Sequence, residues 1–214
     1  MQNLSYITRE CAISAVKKMM IFHEDLKHVF LKHDLDLLTD LGRRNILLSN
    51  AQEKYFASEL SNLYTAKNDG RTGEPDIIIE DLNRELECKL TSKHKSGAIV
   101  FQTDYETLEK KGKLDYLYVV ANREFDEFAV IHYTDLTTSD FRNPSTGSRG
   151  KSQLLKHSAH DRANVIVGEM LDLNRENIKK IEDKLSKTNN RSSLKYSKLL
   201  NSLEYWKNLS LIHI

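Results

Sequence analysis

The segment Glu74-Pro-Asp-Ile-Ile-Ile-Glu-Asp-Leu-Asn-Arg-Glu-Leu-Glu-Cys-Lys89 holds the residues best suited to chemistry. Asp76 opens one short apolar run, Glu87 and Lys89 close the next, and Asp81 to Arg84 supply a turn between them. Side chains alternate along a strand, so Glu87 and Lys89 project on one face about 6–7 Å apart, while Leu86, Cys88 and Leu90 project on the other. A two-residue turn of Leu82 and Asn83 places Asp76 opposite Lys89 and diagonal to Glu87, on the same face. An odd-numbered turn would put it on the opposite face. Two converging carboxylates repel each other, and one ammonium only partly offsets that, so the cluster calls for a divalent cation. Mg²⁺ suits it, because that ion takes a few carboxylate oxygens and keeps several waters. A metal held there activates water and offsets charge on a phosphoryl oxygen, with Lys89 placed to position or deprotonate the attacking water. Phosphodiester hydrolysis is the reaction these parts perform. The alternative is a hairpin whose Asp, Glu and Lys merely decorate a wet face.

The elements that must position these groups follow from hydrophobic spacing. From Arg9 to His33, Ala12, Ile13, Val16, Met19, Met20, Leu26, Val29 and Phe30 recur at helical intervals, as one long helix or two short ones. A second helix is expected from about Asn50 to Ala66, capped by Ser49 or Asn50 and striped by Tyr55, Phe56, Leu60, Leu63 and Tyr64. Residues 67–74 then read as a loop. Five runs rich in branched and aromatic residues read as strands: Asp76 to Ile79, Leu86 to Leu90, Ala98 to Phe101, Tyr116 to Ala121 and Phe128 to Tyr133. A helix from Asp104 to Lys111 interrupts them, a long polar loop spans Thr137 to Gln153, and helices return near Asn174 to Lys187 and Ser192 to Leu209. The expectation is an α/β fold with a mixed five-stranded sheet flanked by helices and extra C-terminal helices. It forms a single domain over 1–214, with a core at about 50–135.

Composition removes several classes. With 39% hydrophobic and 29% charged residues, the 214-residue chain has the make-up of an ordinary globular protein. A formal net charge of +1 argues against a histone-like polyanion binder. No apolar run reaches membrane-spanning length, and residues 1–9 lack the pattern of a secretory signal, so a cytoplasmic location with no membrane partner is expected. Two cysteines, Cys11 and Cys88, supply no zinc spacing, and Cys88 reads as a buried core thiol. A bound metal must therefore take oxygen ligands.

Pro75-Asp76 followed, after ten residues, by Glu87-Cys88-Lys89 resembles the PD-(D/E)xK nuclease superfamily, the fold of most type II restriction endonucleases. The resemblance covers about residues 50–121. It implies a restriction endonuclease-like core in which Asp76 and Glu87 bind Mg²⁺ and Lys89 acts on the nucleophilic water. It further implies a prokaryotic restriction enzyme that cuts double-stranded DNA at a specific sequence, as a homodimer if the site is a palindrome. A structure-directed repair or junction-resolving nuclease is the first alternative, and a non-catalytic DNA-binding protein on the same scaffold the second. Members often bring a glutamate from the preceding helix to the metal; here Glu53 is the candidate, with Glu59 behind it. Asn50-x-x-Glu53 also has capping-box spacing, which would give Glu53 a helix-start role instead. Gln102 and Tyr105, placed at the start of the helix after the motif, resemble a glutamine and tyrosine near the active site of some relatives, at shorter spacing.

For DNA contact, Lys93, His94 and Lys95 follow the motif strand directly, as phosphate ligands or as a solvated loop. Ser148, Arg149, Lys151, Ser152, Gln153, Lys156 and Arg162 offer donors and acceptors for base edges, unless the loop is simply basic and unstructured. His157 and His160 read as surface residues. The last apolar stripe, Leu199, Leu200, Leu203, Tyr205, Trp206 and Leu209, reads as core packing or a dimer contact.

Overall fold

The structure, a computed structural model, describes residues 5–69, 71, 73–93, 99–147, 150–168, 179, 181–188 and 194–211, with the side chains of the last helix described to residue 203. By internal contacts the chain falls into two units, Met1–Lys93 with Ile99–Gly168, and His94–Ala98 with Glu169–Ile214.

The first unit opens with α1 (Arg9–Lys32), whose start is capped by Thr8 Oγ1 accepting from the Cys11 N–H at 3.1 Å. Next comes α2 (Leu41–Leu60), which begins nine residues before the expected start. Its cap is Asp40, which accepts from the N–H groups of Gly42 and Arg43 at 2.9 and 3.1 Å. The reason is local: an aspartate ahead of Leu-Gly-Arg-Arg satisfies the first free amides as well as Ser49 or Asn50 would have done further on. Asn50 therefore lies inside the helix, and the capping-box role for Glu53 is ruled out.

The strands are β1 (Ala66–Asn68), β2 (Ile77–Ile79), β3 (Arg84–Ser92), β4 (Gln102–Asp104), β5 (Leu114–Ala121), β6 (Phe128–Leu136), β7 (Lys151–Gln153) and β8 (Asn164–Val167). Two short helices join them, α3 (Tyr105–Lys111) after β4 and α4 (Lys156–Asp161) before β8. The protein is α/β, with a mixed six-stranded sheet in the order β1-β2-β3-β5-β6-β8. Among the described strands β3 and β5 alone run parallel, and the β4–α3 crossover between them is what that requires. The sheet has one strand more than expected, because it adds two short edges, β1 and β8, and does not include the strand expected at 98–101. The expected strand at 98–101 is absent over the described residues 99–101, and β4 lies just beyond them. The 137–153 loop is partly ordered: β7 pairs with β4 as a two-stranded ribbon, Gln102 against Gln153.

Both faces of the sheet are covered. On one, Ala12, Ala15, Val16 and Met19 of α1 and Leu48, Phe56 and Leu60 of α2 pack on Ile77, Ile79, Leu86, Cys88, Leu117 and Val119. On the other, three buried tyrosines each bond the layer above: Tyr116 shares a hydrogen bond with Thr103 Oγ1 at 2.7 Å, Tyr118 donates to the Gln102 carbonyl at 2.9 Å, and Tyr133 donates to the Ala159 carbonyl at 2.9 Å. A buried phenol needs such a partner, so the tyrosines fix where the β4–β7 ribbon and α4 sit.

The second unit contains helical residues 181–186 and the helix Leu194–Leu211. Tyr205, Trp206 and Leu209, expected to pack or dimerise, lie outside the described side chains. Among the described residues no helix is long and apolar enough to cross a membrane.

Candidate active site

The hairpin between β2 and β3 turns over four residues, not two. Residues Glu80–Leu82 form a single 3₁₀ turn and Asn83 takes a left-handed conformation at φ 49°, so Ile79 pairs with Arg84 and Ile77 with Leu86. Four, like two, is even, and Asp76 keeps the face of Glu87 and Lys89. The register, however, is shifted by two residues from the one expected, so that continuing the ladder one step brings Asp76 level with Glu87 rather than Lys89. Strand pairing stops at Ile77, and the Asp76 carboxylate takes over from it: Oδ2 accepts from the Cys88 backbone N–H at 2.7 Å. That bond ties the end of β2 to β3 where the two strands part.

The three motif residues come together there. Lys89 Nζ donates to Glu87 Oε1 in a short ion pair. The other oxygen, Glu87 Oε2, is buried and has no hydrogen-bond partner among the described residues. Asp76, Glu87 and Glu53 line one cleft of about 250 Å³ together with Arg71, Gly73, Glu74 and Thr107. Glu53 reaches it from the middle of α2. Burial, then the charge of Glu87, pushes Asp76 up to about 7, against the pull of Lys89 and of the Cys88 N–H. Burial also raises Glu53, Lys89 opposes that, and Glu87 adds to it. For Lys89 burial works against the charge, but Glu87 and Asp76 outweigh it and the net shift is upward. Two carboxylates, Asp76 and Glu53, both lifted by burial and by the charge of Glu87, mark a site short of positive charge. Among the described residues no three His, Cys, Asp or Glu side chains stand close enough together to grip one ion. The carboxylates line a common space without closing on a point.

A second, wider cleft of about 580 Å³ shares Glu53 and Asp76 as walls. It runs beneath α2 past Gly42, Asn45, Ile46 and Ser49, and against the ribbon at Gln102, Thr103, Asp104 and Lys151.

The remaining expected residues divide. Gln102 lies in β4, not at a helix start, and its exposed side chain borders the wider cleft; Tyr105 opens α3 and donates its N–H to the Gly150 carbonyl at 2.9 Å. Lys151 borders the same cleft. Lys93 follows β3, with its N–H on the Ala121 carbonyl, and Lys156 is exposed at the start of α4. Gln153 pairs with Gln102 in the ribbon and is half-buried.

Two expected DNA ligands serve the fold instead. Ser152 is buried and donates to the Arg142 carbonyl in a short bond. Arg162 bonds Asp140 Oδ2 at 2.6 Å and the carbonyls of Thr134 and Asp135 at 2.7 and 2.9 Å, pinning the end of β6. The physical reason is that a polar side chain in a covered loop is drawn to the loop's own unpaired backbone. Glu59 is likewise taken, accepting from Ser14 Oγ at 2.7 Å and Lys18 Nζ at 2.5 Å to join α1 and α2. His94, Lys95, Ser148 and Arg149 lie outside the described residues.

The sequence pattern overlooked Arg71. It stands five residues ahead of Asp76 in a Gly-flanked stretch, and that closeness was the available signal. No protein-family model matches the chain, and no curated protein or solved structure matches it.

Proposed function

We propose that the chain is a Mg²⁺-dependent DNA endonuclease with a restriction endonuclease-like core, hydrolysing phosphodiester bonds at the cleft shared by Asp76, Glu87 and Glu53. The observation that carries this reading is the buried, unpartnered Oε2 of Glu87, a residue that lines the same cleft as two carboxylates held above their ordinary range. A buried acceptor with no donor costs about 1–3 kcal/mol, more when charged, and a hard cation removes that cost. Asp76 and Glu87 would hold the ion, and Glu53, on the wall of the same cleft but not close enough to complete a three-carboxylate grip, would act on it through a bound water. When bound, Mg²⁺ supplies Lewis acidity at a phosphoryl oxygen and lowers the pKa of water. Lys89 Nζ grips Glu87 Oε1, which fixes the carboxylate plane and leaves Oε2 for the metal. The same ammonium sits where it can donate to an incoming water or a phosphate oxygen. Ile77, Ile79, Leu86 and Cys88, all buried, anchor both strands from behind.

The test is incubation of the protein with long duplex DNA in Mg²⁺ and in EDTA. Cleavage only with Mg²⁺, abolished in Asp76→Ala while the thermal melt stays cooperative, is the expected outcome. Equal cleavage by wild type and Asp76→Ala, or none by either, removes the reading. Discrete fragments would mark a sequence-specific restriction enzyme, for which a homodimer is the expected state. A second reading, a structure-directed nuclease that acts on branched or damaged DNA, is favoured by one observation: Ser152 and Arg162, which were to read bases, are spent on the fold. Cleavage restricted to branched substrates would select it.

A further inference from the structure

The two clefts have Glu53 and Asp76 as common walls, so the candidate centre lies where two arms of one groove meet. Each arm has cations placed differently from the motif lysine. In the narrower arm the lining cation is Arg71; in the wider one Lys151 of β7 stands beyond Lys89, across from Asn45 and Ser49 of α2. We infer that this groove is the track for one nucleic-acid strand, with Arg71 and Lys151 holding phosphates on the two sides of the bond to be cut. The inference rests on the nuclease reading above and adds the strand path and the residues that hold it.

Arg71 carries most of the argument. Its side chain is 74% exposed, yet its guanidinium is held two-pronged by Asp69, Nε to Oδ1 and Nη2 to Oδ2, both at 2.5 Å. Asp69 is itself fixed, its N–H donating to the Asp76 carbonyl at 3.1 Å. Asp69 occupies the Nε/Nη2 edge and so fixes the guanidinium plane beside the motif aspartate, which leaves the Nη1 side of the group to donate to a phosphate. An anionic strand approaching Glu53, Asp76 and Glu87 gains from cationic donors at the rim, and Arg71, although paired with Asp69, places such donors there. Lys151 is exposed and held in place by the ribbon, where it pairs with Asp104 in register. The ribbon is in turn fixed by the Tyr116 and Tyr118 hydroxyls. A single strand-holding cation could be incidental to a surface; one in each arm, with the reaction centre between, has the geometry of a track.

The experiment is the salt dependence of binding of a short labelled duplex, and of the matching single strand, with Ca²⁺ in place of Mg²⁺ so that the substrate stays intact. Each phosphate contact adds about 0.9 to the slope of log K against log salt on a duplex and about 0.7 on a single strand. Arg71→Ala and Lys151→Ala should each lower the slope by about one contact, the double variant by about two, and Arg71→Lys should restore most of the first loss. A variant that merely loosened the fold would weaken binding without changing the slope, and that result overturns the inference. Wild type that cuts DNA while Arg71→Ala keeps the full slope overturns it alone. Wild type that neither binds nor cuts removes the nuclease reading as well.

Discussion

Glu87 divides its carboxylate between unlike surroundings, one oxygen on Lys89 and the other buried without a donor. Lys89 therefore has two jobs, orienting Glu87 and supplying charge at the cleft. Lys89→Gln should lower cleavage by roughly 10²–10³-fold, the usual effect of losing one preorganised donor at a reacting centre, measured as kcat on duplex DNA with Mg²⁺. A different residue contributes to the acid sensitivity of the fold. His132 is fully buried in β6, bonded through Nδ1 to Ser5 at 2.8 Å and with Nε2 unpartnered among the described residues; burial, with Arg84 nearby, pushes its pKa down to about 3. In the unfolded chain the imidazole titrates near 6.5, so between about 6.5 and 3 the unfolded state binds the extra proton. This contribution to stability is complete above the unfolded value and drains away as pH falls through that window, by about 1.4 kcal/mol per pH unit well inside it. Urea unfolding at pH 7, 5 and 4 should show a shallower pH slope for His132→Gln than for wild type; parallel slopes would contradict the assignment.

At the scale of elements, the start of α2 decides what Glu53 is free to do. With Asp40 as the cap, Glu53 sits about three turns after the start of α2 and about two before its end, and lines the cleft. Asp40→Ala should cost about 1 kcal/mol in chemical denaturation, and Asn50→Ala, inside the helix, no more than about 0.5 kcal/mol. The reverse order would return Glu53 to the capping box. Further along α2, Gln52 is fully buried and donates to the carbonyls of Lys89 and Leu117 at 3.4 and 3.2 Å. Arg44, also buried, reaches the carbonyls of Asn122 and Arg123 at 3.0 and 2.6 Å and Ser92 Oγ at 2.8 Å. These bonds seat the helix against β3 and β5, and hence hold Glu53 over the gap beside β2.

At the scale of the whole molecule, the sheet and α2 gather Glu53, Asp76 and Glu87 around one cleft, and a cation bound there must stabilise the native state. Ligand binding adds about 2.7 kcal/mol at a concentration 100 times the dissociation constant. Thermal melts should therefore rise with Mg²⁺ in wild type and stay flat in Glu87→Gln, whose amide is a poor ligand for a hard ion. An equal rise in both would place the ion elsewhere.

The residue types at 76, 87 and 89, their alternation with Leu86, Cys88 and Leu90, and the long α1 were legible in the sequence, because strand and helix periods are local properties of the chain. The parity of the hairpin stayed open between an even and an odd turn, and its length was not legible: Glu80–Asn83 turns by a 3₁₀ segment and one left-handed residue. The edge strands β1 and β8 were missed because three or four residues carry too little pattern, although Asn164-Val-Ile-Val167 is a branched run that pointed to one. The fates of Ser152, Arg162 and Glu59, and the position of Arg71 beside the acidic cleft, belong to the tertiary structure alone. A polar side chain takes whichever unpaired partner the folded chain brings nearest, and that partner is far away in sequence.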